Sequence, residues 1–106
     1  MSNKLISKKT LSIELRGNLT KTELVSQINS VTDFIKQHLN KLVEEIMLDF
    51  NSIVKIDTYA LVFIIQVERF CRFNNSKKLN IIWKNIPNNL DSFIKLSSLS
   101  GHLDIR

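Results

Sequence analysis

Three times along this chain a short β-rich run is followed by apolar residues at helical spacing, and this alternation limits the fold more than any other feature. Residues 11–15, Leu-Ser-Ile-Glu-Leu, alternate strictly, the pattern of a strand with one buried face. Gly17 and Asn18 predict a turn after it. Thr20 and Glu23 stand at capping-box spacing, and Leu19 and Leu24 are placed to pack together across the helix start. Leu24, Ile28, Val31, Ile35 and Leu39 then give the first helix one apolar face.

The second unit reads as a short strand over 46–50, a connection over 51–55, and a helix that opens at Asp57 and runs to about Phe73. Asn74, Asn75 and Ser76 break it. In the third unit, Leu79, Ile81, Ile82 and Trp83 predict a strand buried on both faces. Pro87 leads to a third helix over about 90–99, with Gly101 just past its end as a left-handed terminator. Strand and helix in strict alternation predict an α/β fold whose neighbouring strands run parallel through helical crossovers. With 106 residues, this is one domain with one core. Its 43% hydrophobic and 24% charged residues place it among folded chains, not disordered ones.

Several function classes fall away on inventory. Cys71 is the single cysteine, so neither a disulfide nor a paired-cysteine zinc site is expected. With only two glycines there is no Gly-rich phosphate loop, and no serine sits in a nucleophile elbow. His38 and His102 have no companion at ligand or catalytic spacing, so both are expected as surface residues. Cys71 is expected as a small buried residue of the second helix. The chain is expected not to be an enzyme and to carry no cofactor.

The longest unbroken apolar run covers residues 59–65, far short of the ~20 residues a helical span needs. The first ten residues hold Lys4, Lys8 and Lys9 but no apolar leader segment. A cytoplasmic location is expected, with any membrane link made through a partner. The net charge of +5 raises nucleic acid as a partner. Yet the bases are scattered, as at Lys36, Lys41, Arg69 and Arg72, with no interleaved aromatic stripe. A solvated basic surface is the expectation, and no nucleic-acid partner.

The stretch from residue 46 to residue 71 carries the most information. Asp57 is suited to cap the second helix, its carboxylate accepting from backbone N–H groups at the positive end of the dipole. Thr58 then lies in the first turn, where a phosphate would face free N–H groups and add about two negative charges. On spacing alone, the pair is also simply a cap. Ala60, Phe63, Ile64, Val67, Phe70 and Cys71 form an apolar arc, while Glu68, Arg69 and Arg72 mark the other side. Leu61, Val62 and Ile65 lie among those charges, either broadly buried or offered to a partner.

The segment Met47-Leu48-Asp49-Phe50 with Ile53 and Ile56-Asp57-Thr58-Tyr59-Ala60-Leu61 resembles the signature of STAS domains, the fold of anti-sigma factor antagonists. The opening Leu-Ser-Ile-Glu-Leu-Arg-Gly-Asn-Leu and the late Phe-Ile-Lys-Leu-Ser-Ser-Leu are similar to that family's first strand and last helix, so the likeness covers about 11–99. It implies a mixed central sheet with helices packed on it, and a module that works by docking onto another protein. Within the family, Asp57-Thr58 and the single-domain length most resemble the small cytoplasmic STAS subunit of bacterial phospholipid transporters. That resemblance implies an ABC-transporter ATPase as partner and Thr58 as candidate phospho-acceptor. Tyr59 and Ala60 stand where the family usually has a small residue and then Gly. Tyr59 is therefore expected either to shield Thr58 or to enter a pocket of the partner. Asp57, Thr58, Tyr59 and Val62 are the expected partner-binding residues. The alternative is an anti-sigma factor antagonist switched by phosphorylation at Thr58.

Overall fold

The alternating run at the start of the chain becomes the edge of a parallel sheet. The computed structural model describes residues 9–39, 42–73, 79–97 and 101–106. The elements are β1 (Lys9–Leu19), α1 (Leu24–His38), β2 (Val43–Ile56), α2 (Tyr59–Phe73), β3 (Asn80–Lys84), α3 (Asn88–Leu96) and β4 (Asp104–Ile105). The strands are ordered β1-β2-β3-β4, and every described pairing is parallel. The α/β domain with helices packed on its sheet is thus as expected, while the mixed strand directions implied by the resemblance are not found among the described strands, which all run parallel.

Right-handed crossovers in a sheet of this order bring successive helices to one face. The burial pattern agrees. Leu15, Ile46, Leu48, Phe50, Ile81 and Trp83 form the core with the inner faces of α1, α2 and α3. The other sheet face is mixed: β3 is buried on both faces as expected, with Ile82 fully buried there opposite Met47, and polar groups cover the β1–β2 part. There Glu14 accepts from the Ser52 hydroxyl and from Arg16 at 2.9 Å, while Thr10 donates to Glu45 at 2.9 Å. The Ser52 hydrogen bond and then the Arg16 charge hold the Glu14 carboxyl below its usual range.

The first two expected strands are longer than their sequence pattern. Gly17 does not turn the chain: its φ of 81° sits inside β1, where the register with β2 shifts. The extra residue there lies in β2, where Val54 is skipped between Ile53 opposite Gly17 and Lys55 opposite Asn18, and pairing continues to Leu19 opposite Ile56. Residues 51–55, read as a connection, are therefore the second half of β2. The Gln27 amide anchors this stretch of β1 to α1, donating to the carbonyls of Arg16 at 2.6 Å and Asn18 at 3.0 Å.

The capping box also differs. Thr20 donates to the Glu23 carboxylate instead of to backbone, and a turn closed by Glu23 N–H on the Thr20 carbonyl at 3.1 Å precedes the helix. The apolar face of α1 is as read, with Val31 and Ile35 buried and Leu24, Ile28 and Leu39 packed against the core. Gly101 is not left-handed. That backbone falls instead on Asn85, with φ 57°, whose amide reaches Asp49 at 2.8 Å. Asn tolerates this region because its short side chain finds a local hydrogen bond. The expected break at Asn74, Asn75 and Ser76 lies outside the described residues, and the third helix ends at Leu96, with Ser97 extended, three residues before the expected end at Leu99.

Glu68 departs furthest from its reading. The carboxylate expected on the outer side of α2 is buried, accepting from the Trp83 indole N–H at 2.8 Å and from Arg72 at 3.1 Å. A buried carboxylate persists only when its lone pairs are met by donors, and both oxygens here are met. Trp83 in turn packs beside Phe50 and Phe63, with ring centroids 5.9 and 6.2 Å away. Cys71 is buried as expected, and burial, with the Glu68 charge second, pushes its thiol up to about 12. A thiol so poised stays protonated and unreactive.

Candidate protein-docking site

At the end of the β1–β2 pair, the chain passes straight from strand into helix. Asp57 N–H donates to the Leu19 carbonyl at 3.3 Å, prolonging the sheet by one bond. One Asp57 carboxylate oxygen then accepts from Tyr59 N–H at 2.8 Å, and the other from Lys21 N–H at 3.0 Å. The first bond is the helix cap read from the sequence. The second ties the start of α2 to the loop between β1 and α1. Ala60 N–H returns to the Asp57 carbonyl at 3.0 Å, and Ala60 is fully buried, so the helix start lies close against the core.

With its inner side fixed, this turn presents its other side outward. Thr58 is exposed, and its hydroxyl has no hydrogen bond among the described residues. Tyr59 is 38% and Val62 36% exposed, both large apolar groups kept partly in water. Lys21 Nζ lies 5.9 Å from the centre of the Tyr59 ring, within cation–π range. The fold therefore brings Asp57, Thr58, Tyr59 and Val62 onto one small surface, with Asp57 half-buried as its anchor. Tyr59 keeps a free outer face while Thr58 remains open beside it.

Lys21 was not singled out by sequence reasoning. Its hydrogen bond uses a backbone N–H, which any residue offers, and its ring partner Tyr59 opens α2, far along the chain. His38 and His102 are surface residues as expected; His38 stacks on Phe34 at 4.1 Å between ring centroids. No group of three metal-ligating side chains occurs among the described residues. No described helix is long and apolar enough to cross a membrane.

No protein-family model matches the chain, and no curated protein matches it by sequence. Solved structures do match. One is the structure of the anti-sigma factor antagonist SpoIIAA in its unphosphorylated form, with a TM-score of 0.58 and 16% sequence identity. The match covers 96% of this chain and 83% of that one. The fold is STAS-like. The resemblance drawn from three sequence segments and the superposition of nearly the whole chain lead to the same architecture. In this STAS-like fold the surface formed by Thr58, Tyr59 and Val62 lies where β2 hands over to α2, at the C-terminal ends of the strands.

Proposed function

We propose that this chain is a non-enzymatic STAS-type module that docks onto another protein through the first turn of α2. The observation that carries this reading is a helix start fixed from within by Asp57 and Ala60 that holds Tyr59 and Val62 partly in water. Pre-organised apolar side chains of this kind lose little entropy on binding, and a single aromatic anchor can supply ~2 kcal/mol or more. Asp57 sets the turn, Tyr59 and Val62 fill the partner's surface, and Thr58 is the point at which added charge would alter the contact.

The proposed partner is the ATPase of an ABC-type phospholipid transporter, whose assembly or activity the module supports at the inner face of the cytoplasmic membrane. The resemblance of the Asp57-Thr58 segment and the single-domain length to MlaB, the STAS subunit of such a transporter, supports this choice. Docking would act by binding one state of the ATPase more strongly than another. A second reading is an anti-sigma factor antagonist switched at Thr58. The exposed, unbonded Thr58 hydroxyl and the likeness to SpoIIAA favour it. Affinity capture from the protein's own cells, with identification of the bound chain, separates the two. An ABC ATPase retained by the wild type and lost with Tyr59→Ala supports the transport reading. A serine/threonine kinase in its place, with Thr58 phosphate in the eluate, supports the switch. Capture unchanged by Tyr59→Ala removes the docking surface itself.

A further inference from the structure

The docking surface does not stop at the first turn of α2. Tyr59, Val62, Gln66, Arg69 and Phe73 follow one another at steps of three and four, so they form one stripe along the whole helix. Phe73, at the far end, is 80% exposed. Across from the stripe runs α1, whose Val25 is 68% exposed. Between the helices lies a cavity of about 370 Å³ lined by Ile28, Thr32, Gln66, Arg69, Phe70 and Phe73. The result is an apolar valley about 21 Å long, at 1.5 Å per residue over α2.

Its charge is one-sided. Lys21, Lys36 and Arg69 border the valley, and none of them has an ion-pair partner among the described residues. Lys21 and Lys36 instead lie over the rings of Tyr59 and Phe70, at 5.9 and 5.8 Å. The nearby carboxylates are turned to other tasks. Both oxygens of Asp57 cap and brace α2, and Glu23 engages Thr20. Asp33 lies about 100° further round α1 than Thr32, toward solvent. A second copy of this chain would bring the same cations face to face.

We propose that this valley receives an acidic amphipathic helix of the partner protein, about four turns long, laid between α1 and α2. Its apolar stripe fills the cavity beside Phe70 and Phe73, and its flanking carboxylates pair with Lys21, Lys36 and Arg69. This is the helix-in-groove mode, in which anchors at helical spacing meet a groove between packed elements. The inference rests on the docking reading above and extends it from one turn to the length of α2.

The test uses the full chain, isotope-labelled for NMR. The probe is a synthetic amphipathic peptide of about four turns, with Leu and Phe on one face and Glu on its flanks. A second peptide carries Lys for Glu, and phosphatidylglycerol vesicles serve as an anionic surface without a helix. The acidic peptide is expected to shift the amide signals of Val25, Val62, Arg69 and Phe73. Its affinity should fall at least about tenfold as salt rises through the range where exposed charges are screened. Arg69→Glu and Phe73→Ala should each weaken it about tenfold, with the rest of the spectrum unchanged because both side chains are exposed. Equal binding of the basic peptide overturns the proposal, as do shifts confined to other surfaces. Binding to the vesicles without binding to the acidic peptide overturns it too, in favour of a lipid surface.

Capture of the native partner separates this idea from the one beneath it. Loss with Tyr59→Ala alone, while Arg69→Glu and Phe73→Ala bind normally, overturns the valley and leaves the docking turn standing. Loss with all three variants supports both.

Discussion

The two flanks of α2 use the same kinds of residue to opposite ends. On the flank toward β3 and the C-terminal segment, Glu68 is buried and both its oxygens are held, by Trp83 and by Arg72. On the flank toward α1, Lys21, Lys36 and Arg69 have no carboxylate partner among the described residues, and Val62 and Phe73 stay in water. One side of the helix commits its polar groups to the fold, and the other leaves them open. Where polar groups are satisfied within the chain, substitution should cost stability. Where they are left open, it should cost binding and little else.

The largest expected effect lies on the closed flank. Trp83→Ala removes a fully buried side chain and the donor to Glu68, and should destabilise by ~3–5 kcal/mol in chemical denaturation. Trp83→Phe keeps most of the volume and isolates the hydrogen bond, with an expected loss of ~1–3 kcal/mol. If Trp83→Phe is neutral, the closed flank is not held by its polar pairing. Asp57→Ala lies between the flanks, since it removes both the cap and the brace to Lys21. It should cost ~1–2 kcal/mol and also loosen the docking turn.

Cys71 sharpens the contrast through pH. Its native thiol holds its proton up to about 12, whereas the ordinary value is 9.0, so between those values the unfolded chain releases a proton that the native chain keeps. Stability from this group is therefore complete below pH 9.0 and declines as pH rises toward 12. A Cys71→Ala variant should lose part of that alkaline decline, and native protein should resist thiol alkylation at pH 8 in a timed labelling assay. The smallest effects belong to the open flank. Thr58→Ala and Tyr59→Ala should each change stability by less than ~0.5 kcal/mol, while Tyr59→Ala abolishes capture of the partner. A melting shift as large as that of Trp83→Phe would mean that Tyr59 serves the fold.

Much of this division could be read from the sequence, and most of the exceptions share a cause. The strand–helix order was legible because each helix repeats its apolar residues at 3.6-residue spacing. The cap at Asp57 was legible because capping depends on one side chain and its near neighbours. Gly17 misled because a glycine serves an irregular stretch of strand as readily as a turn, and the bulge opposite it lies in the partner strand β2. Glu68 misled for the same reason: on a helical wheel it is a charge among charges, and its burial depends on Trp83 in β3. β4 left no mark, since a two-residue strand has no period to detect. Local chemistry was mostly readable, the Thr20–Glu23 box excepted, and chemistry completed by a distant segment was not.

The central claim is that the outward side of the α2 start is held by another polypeptide. The most direct measurement replaces Tyr59 with a photoreactive phenylalanine analogue in the protein's own cells and analyses the crosslinked species after irradiation. The same analogue at Asn80, on the exposed start of β3, serves as the control. The account predicts one discrete crosslinked protein at position 59 and none at position 80. No crosslink at 59, or an identical pattern at both positions, would contradict it.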